Sequence, residues 1–214
     1  IRPVARGDMP ASSNAFHHIP YVFYMLALGA AGFAVQIMSV SVGWQVYDLT
    51  RNPLDLGFVG LAQFLPALLM VLVTGLIADK FNRRLIISIC FAIEVLCAAG
   101  FLYITFNAGL GVLPIFGILV VLGFARAFMN PAADALAPNL LPPEAIAHGI
   151  SLNSMIWQVT TITGPVAGGL LYGVSGSSAY GTAVALLLLA IVFVNFIGSV
   201  PQKNHAQETN LATL

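Results

Sequence analysis

Two ionisable side chains, Glu94 and Arg126, stand inside long apolar runs of the sequence. If those runs cross a membrane as helices, an unpaired arginine near the bilayer centre costs roughly 2.5–3.5 kcal/mol or more. Arg126 therefore requires a water-filled cavity, a cluster of backbone carbonyls or an acid. At 1.5 Å of rise per residue, Glu94 lies within about one helical turn of the same depth, so it is the nearest candidate acid. Two interpretations remain open: a structural ion pair, or a site that binds a ligand or exchanges protons.

The other residue types that support chemistry are sparse. Glu144 and His148 lie one turn apart at a helix start, but two residues do not make a metal site. Cys90 and Cys97 share one apolar run, which is typical of packing residues and not of a disulfide. The sequence contains no phosphate-binding Gly-Lys-Ser loop, so an ATP-driven pump is not predicted. We expect no cofactor, no metal and no enzymatic reaction.

The composition predicts that the bilayer is the solvent for most of this chain. Hydrophobic residues make up 59% and charged residues 7% of it, against roughly a quarter charged in soluble domains. So few charges cannot cover a water-exposed surface. The eight basic and eight acidic residues cancel, so a nucleic-acid partner is not expected.

Six apolar segments of about twenty residues each match the roughly 30 Å hydrocarbon layer. They predict an all-α membrane domain over residues 21–200, between cytoplasmic tails at 1–20 and 201–214. An N-terminus in the cytoplasm leaves Arg51 as the only basic loop residue outside, as the positive-inside rule requires. The predicted helices cover about 21–47, 56–77, 85–106, 112–133, 143–172 and 179–199. The basic residues placed inside are Arg2, Arg6, Lys80, Arg83, Arg84 and Lys203.

Small and polar residues indicate which helix faces avoid lipid. In the first helix they recur every three or four positions, which either admits a close neighbouring helix or lines a wet cavity. Pro66 is predicted to bend the second helix, and Asn130-Pro131 to break the fourth. The face on the first helix comprises Gly29, Gly32, Gln36, Ser39 and Gly43. Polar groups at mid-depth, predicted to line one cavity, are Gln36, Gln63, Arg126, Asn153 and Gln158.

The segment GLIADKFNRR at 75–84 separates the second and third apolar runs. It resembles the loop between helices two and three of the major facilitator superfamily, whose pattern is G-x-L-a-D-R-x-G-R-R. Gly75, Asp79, Arg83 and Arg84 match it, and Lys80 replaces an arginine. Asn82 replaces the second glycine, and we expect it to keep a left-handed turn, which asparagine tolerates best after glycine.

A second segment, TTITGPVAGG at 160–169, resembles the helix-five antiporter pattern G-x-x-x-G-P-x-x-G-G of the same superfamily. Thr160 stands where the first glycine is expected. Proline bends such a helix, and glycines four apart let a neighbouring backbone come into contact. The matching residues are Gly164, Pro165, Gly168 and Gly169.

Four further segments resemble the enterobactin-exporter-like secretion effectors of that superfamily: GWQVYDLT (43–50), GLAQFLP (60–66), RAFMNPA (126–132) and LNS (152–154). The resemblance implies six transmembrane helices that form one half of a major facilitator fold, built as a 3+3 inverted repeat. The family has twice as many helices, so a missing C-terminal half or a second copy of the chain is an expected partner. We expect the 75–84 and 160–169 motif residues to govern conformational switching; for Asp79 and Arg83 the reason is their position in a cytoplasmic loop, away from the cavity helices.

The resemblance implies a secondary exporter in a bacterial inner membrane. Its substrates would be small amphipathic molecules such as siderophores or drugs, bound by the mid-depth polar residues. Export would proceed by alternating access and proton antiport, with Glu94 and Arg126 as the proton-coupling residues. Two other classes remain open. One is a non-transporting or truncated half that acts as an assembly or lipid-interacting partner. The other is a six-helix channel or scramblase, which predicts polar faces on every helix, whereas the sixth is nearly all apolar.

Overall fold

The computed structural model describes residues 15–197 of the 214-residue chain; the side chains of His17, residues 71–73, 76–80 and Ala108 are not described. Six long α-helices follow one another through short turns. They are α1 (Ile19–Thr50), α2 (Pro53–Lys80), α3 (Arg83–Phe106), α4 (Leu113–Leu136), α5 (Ile146–Val174) and α6 (Gly176–Phe196). Short 3-10 turns lie at Ala15–His17, Ala108–Leu110, Ala137–Leu140 and Pro143–Ala145.

The all-α prediction is confirmed, since residues 15–197 contain helices and turns but no strand. Five segments are long and apolar enough to cross a membrane: Ile19–Thr50, Pro53–Met70, Arg83–Phe106, Leu113–Leu140 and Gly176–Phe196. Helix α5 does not reach that hydropathy, because Ser, Thr, Asn and Gln interrupt its apolar residues. The whole C-terminal tail predicted at 201–214 and most of the N-terminal tail predicted at 1–20 lie outside the described residues, 15–197. The adjoining Ala15–His17 turn is held by a hydrogen bond from the Ala15 amide to His148 Nδ1 at 3.1 Å.

The structure corrects two predicted helix boundaries. Helix α4 does not break at Pro131 but continues to Leu136. The residues after the proline include buried Ala132, Ala133 and Leu136, whose packing offsets the hydrogen bond that Pro131 cannot make. Pro143 does not open α5 either; it starts a separate 3-10 turn, and α5 begins at Ile146.

The prediction for Asn82 is wrong. Its backbone has φ −63° and ψ 111°, an extended conformation and not a left-handed one. Its side-chain oxygen accepts hydrogen bonds from the amides of Arg84 at 3.0 Å and Leu85 at 3.4 Å. Asn82 is therefore the N-cap of α3, a position for which asparagine is favoured because its side chain satisfies free amides of the first turn.

Contacts between helix ends show that successive helices alternate in direction. The Tyr24 hydroxyl near the start of α1 donates to the Ala133 carbonyl near the end of α4 at 2.9 Å. The Tyr180 hydroxyl near the start of α6 donates to Gln45 Oε1 near the end of α1 at 2.6 Å. Within this up-and-down bundle α1 packs against α5 and α6, α4 packs against α2 and α3, and α3 packs against α6.

Two glycines allow the closest helix approaches. A Cβ on Gly164 of α5 would lie 2.6 Å from the Cβ of Gln36 on α1, and a Cβ on Gly123 of α4 would lie 2.6 Å from the Gln63 carbonyl of α2. Neither position has room for a side chain. The small-residue face of α1 therefore admits a neighbouring helix, which was one of its two predicted roles.

Candidate functional site

Glu94 of α3, Arg126 of α4 and Gln63 of α2 form one polar cluster within the bundle. Glu94 Oε1 lies 4.0 Å from Arg126 Nε, which is an ion pair without a direct hydrogen bond. Arg126 Nη1 donates to Gln63 Oε1 at 3.1 Å. The Glu94 side chain is 2% exposed and that of Arg126 is 23% exposed, so the arginine is the more accessible member of the pair.

Local packing explains why these side chains meet. Glu94 belongs to a buried face of α3 that also includes Phe91 and Ala98. Gly123 lies one turn before Arg126 and lets the backbone of α2 approach α4 at Gln63. The close approach brings the Gln63 side chain within reach of the guanidinium. A larger residue at 123 would separate the two helices and break this contact.

The open space beside Arg126 is a cavity of about 370 Å³ between α1, α4 and α5. Its walls combine apolar side chains with a few polar ones, as ligand sites do. The apolar lining includes Leu28, Val35, Met129, Ile156 and Trp157, and the polar lining comprises Glu94, Arg126, Asn130, Asp134, Asn153 and Thr160. A neighbouring cavity of about 250 Å³ shares Asp134 and Asn153 with it and reaches Tyr21 and Gly149 at the starts of α1 and α5.

The charged pair retains hydrogen-bonding capacity. Glu94 Oε2, Arg126 Nε and Arg126 Nη2 are buried and have no hydrogen-bond partner among the described residues. Native structures leave few such groups unsatisfied, and an unsatisfied charged group is costly. Both residues also line the cavity, so the unsatisfied groups lie next to a space that could hold a small molecule.

The predicted substrate-binding residues separate into two sets. Arg126 and Asn153 line the cavity, and Gln63 contacts Arg126 directly. Gln36 lies instead under Gly164 at the contact between α1 and α5. Gln158 is exposed on α5, about 140° around the helix from Asn153.

Sequence reasoning missed several cavity residues. Asn130 and Asp134 follow Arg126 at intervals of four, which places all three on one face of a continuous helix. The expected break at Pro131 hid this spacing. On α5, Trp157 and Thr160 lie on the Asn153 face, which the same periodicity could have indicated.

The two arginines of the 75–84 segment bind helix ends. Arg83 Nη1 donates to the Ala135 carbonyl at the end of α4 at 2.8 Å, and Arg84 Nη2 donates to the Asn195 carbonyl at the end of α6 at 2.8 Å. Cationic donors stabilise helix C-termini in this way. Gly75 is half-buried, whereas the Asp79 side chain lies outside the described set.

In the 160–169 segment the two small-residue contacts lie on one face of α5. Gly164 and Gly168 meet α1, where a Cβ on Gly168 would lie 3.0 Å from the Ile37 Cα. Pro165 is half-buried, and a Cβ on Gly169 would meet open space. Close helix packing therefore depends on Gly164 and Gly168 and not on Gly169.

The fold and cavity define a multi-pass helical membrane protein with a polar cluster between its helices. Residues 21–213 match the sequence model of the Major Facilitator Superfamily, and the chain belongs to that superfamily of transporters.

Similar proteins are efflux proteins or transporters by their names. The multidrug efflux pump Tap of Mycolicibacterium fortuitum is 26% identical over 163 residues, 73% of this chain and 40% of that protein. Macrolide efflux protein A of Streptococcus pyogenes is 24% identical over 187 residues, 82% of this chain and 45% of that protein. The staphyloferrin A transporter of Staphylococcus aureus is 25% identical over 141 residues, 64% of this chain and 35% of that protein. The chain spans less than half the length of these relatives. Membership of a transporter superfamily agrees with the expectation that the chain is not an enzyme.

Proposed function

We propose that this chain is the N-terminal half of a secondary transporter that exports small amphipathic molecules by alternating access and proton antiport. The observation that carries the proposal is the Glu94–Arg126–Gln63 cluster, which contains unsatisfied polar atoms and whose two charged residues line a cavity between α1, α4 and α5. Each part of the proposal rests on a separate feature.

The helix packing supports six spans arranged as a 3+3 inverted repeat. An inverted repeat relates α1 to α4, α2 to α5 and α3 to α6. The α1–α5 contact must then have a counterpart between α4 and α2, and the α1–α6 contact a counterpart between α4 and α3. Both counterparts are present. Because directions alternate, helices related in this way run antiparallel, as an inverted repeat requires. The polar residues of α5 that lower its hydropathy include Asn153 and Thr160, which line the cavity. In this proposal α5 therefore also crosses the membrane, which brings the number of spans from five to six.

The arginines support a cytoplasmic N-terminus in a bacterial inner membrane. Arg83 and Arg84 lie at the end of the bundle where α1, α3 and α5 begin, whereas Arg51 lies at the opposite end. The positive-inside rule places the arginine-rich end in the cytoplasm. Asp134 and the smaller cavity then open toward the cytoplasm, from which an exporter collects its substrate.

The cavity lining favours amphipathic substrates. Trp157 and Ile156 offer apolar surface, while Asn153 and Arg126 offer polar groups that fix orientation. A half-transporter leaves such a cavity open on one side, so we infer that a C-terminal six-helix half, or a second copy, completes it. The names of the relatives refer to macrolides, multiple drugs and staphyloferrin A, so macrolides, drugs and siderophores are the substrate classes to test first.

Glu94 and Arg126 are the proposed coupling pair. A proton entering from outside binds the Glu94 carboxylate and removes the negative partner of Arg126. The free-energy cost of keeping the guanidinium buried then rises, because its charge is no longer compensated. The helices rearrange to a conformation in which other groups contact Arg126. Release of that proton into the cytoplasm restores the pair, so each cycle moves the proton inward while the substrate moves outward.

The test uses the full-length transporter in inside-out vesicles, with a macrolide, a lipophilic dye and a siderophore as probes. We expect uptake driven by a proton gradient for at least one probe. Glu94→Gln should still bind that probe but lose the dependence on the gradient, whereas the exposed control Glu144→Gln should retain it. Unchanged gradient dependence in Glu94→Gln would refute the coupling role. Failure of the folded wild type to move any probe would favour the non-transporting alternative.

A further inference from the structure

An apolar groove runs between α3 and α4, on a different face of α4 from the cavity. Its first lobe, about 330 Å³, is lined by Ile86, Ile89, Cys90 and Ile93 of α3 and by Val121, Phe124, Ala125 and Phe128 of α4. A second lobe of about 480 Å³ shares Ile93 and Val121 with the first and continues to Gly100 and Pro114. In a membrane-spanning chain, this surface groove faces the lipid and can accommodate hydrocarbon along its length.

Arg83 lies one turn before Ile86, the first α3 residue that lines the first lobe. It precedes Ile86, Cys90 and Ile93 at intervals of three and four, so it lies on the same face of α3. Ala135 lies seven residues after Phe128 and shares its face of α4. The 2.8 Å hydrogen bond from Arg83 Nη1 to the Ala135 carbonyl therefore places a guanidinium across the seam between the two helices.

Arg83 and the first lobe together extend over about the depth of one bilayer leaflet. From Arg83 to Ile93 is ten residues, about 15 Å of helix at 1.5 Å per residue, which equals half of the roughly 30 Å hydrocarbon layer. A hydrocarbon chain attached to a headgroup at Arg83 would thus end at the bilayer midplane, where the first lobe meets the second. A positive charge at the interface and an apolar groove of leaflet depth are complementary to an anionic phospholipid.

We propose that Arg83 and the first lobe bind an anionic phospholipid, with its phosphate at the guanidinium and one acyl chain in the groove. Guanidinium and phosphate form strong charge-assisted hydrogen bonds. The phosphate competes with the Ala135 carbonyl for Arg83, so lipid binding acts on the end of α4. Because Asp134 precedes Ala135 and lines both cavities, the bound lipid regulates the cavity from the membrane side. The lipid site itself does not require the proposed transport activity.

The test is native mass spectrometry of the purified full-length protein titrated with phosphatidylglycerol, phosphatidylcholine or glycerol 3-phosphate. We expect phosphatidylglycerol to bind with roughly tenfold higher affinity than phosphatidylcholine, because the choline ammonium offsets the phosphate charge that Arg83 would bind. Arg83→Gln should abolish that preference. Arg84→Gln is the matched control, because Arg84 binds the end of α6 and lies off the groove, and it should keep the preference.

A second pair of variants tests the groove without touching a charge. Val121 lines both lobes and Val120 does not, and both side chains are partly exposed on α4. Val121→Phe should weaken phosphatidylglycerol binding, whereas Val120→Phe should not. Equal losses in Arg83→Gln and Arg84→Gln, or full binding in Val121→Phe, would overturn the proposal. Equally tight binding of glycerol 3-phosphate would also overturn the proposal, because it would indicate an anion site without an acyl chain. A dimer that Val121→Phe dissociates would do the same, because the groove would then be a protein interface.

Discussion

Arg126 donates a 3.1 Å hydrogen bond to Gln63, so a buried guanidinium on α4 is held by a neutral amide from α2. The carboxylate of Glu94 lies farther away, at 4.0 Å, and on a third helix. This arrangement positions the arginine without neutralising it by a direct hydrogen bond to the acid. A bound proton at Glu94 can therefore change the electrostatic environment of Arg126 while Gln63 still holds its position.

The first prediction concerns the stability of the charged pair. Breaking a buried ion pair costs roughly 3–5 kcal/mol when one partner remains buried alone. Glu94 is the more buried member, so Arg126→Met should lower the free energy of unfolding more than Glu94→Gln does. The double variant should lose less than the sum of both, because the two groups interact. Unfolding in detergent measures all three, and additive losses would show that the pair is not coupled.

A second prediction separates Gln63 from the other glutamines. Gln63→Ala removes a hydrogen bond to a charged group, a contribution of about 1.5–3 kcal/mol. We expect weaker substrate binding, since Arg126 loses the contact that positions it beside the cavity. Gln158→Ala provides the control, because Gln158 lies on another face of α5. Equilibrium binding to the purified transporter gives both values, and equal effects would mean that the Gln63 contact does not position the site.

The third prediction concerns how the close contact between α1 and α5 affects stability. Gly164→Ala places a Cβ 2.6 Å from the Gln36 Cβ and should destabilise the protein by about 1–3 kcal/mol through overpacking. Gly169→Ala on the same helix meets open space and should be neutral or stabilise by up to about 1 kcal/mol through helix propensity. Thermal unfolding of the two variants decides the matter. Similar shifts in both would contradict the close approach at Gly164.

The fourth prediction concerns water access to the cavity. After Cys90 and Cys97 are replaced by alanine, cysteine at Asn153 should react with a water-soluble thiol reagent and be protected by substrate. Cysteine at Gln36 should react slowly, because that position packs against Gly164. Cysteine at Gln158 should show no protection by substrate. The modified fraction is measured by mass spectrometry. Rapid labelling of cysteine at Gln36 would contradict the prediction, because it would show that the water-accessible cavity extends into the α1–α5 contact.

A fifth prediction places Asp79 and Arg83 in switching and not in substrate binding. Arg83 binds the end of α4, one residue beyond Asp134 of the cavity lining. We expect Asp79→Asn in the full-length protein to lower the transport rate while leaving substrate affinity within a few-fold. Vesicle uptake and equilibrium binding measure the two quantities separately. A large loss of affinity with a normal rate would assign these residues to the binding site.

The sequence by itself determined that the chain is a helical membrane protein and which segments form its helices. In a bilayer each span must satisfy its own backbone hydrogen bonds, so a long apolar run leaves few alternatives to a helix. The same logic limited Arg126 to a few kinds of partner, and Glu94 was among those predicted. Charge and motif spacing further indicated that Arg83 and Arg84 lie at one end of the bundle.

Tertiary structure decided what the faces of those helices touch. Gln63 and Gln36 are similar mid-depth polar residues in the sequence. Gln63 accepts a hydrogen bond from Arg126, however, whereas Gln36 packs against Gly164. The difference arises from which helices approach closely, and that depends on contacts between residues far apart in the chain. Pro131 shows the same limit, because only the burial of the residues after it explains why α4 continues and brings Asp134 to the cavity.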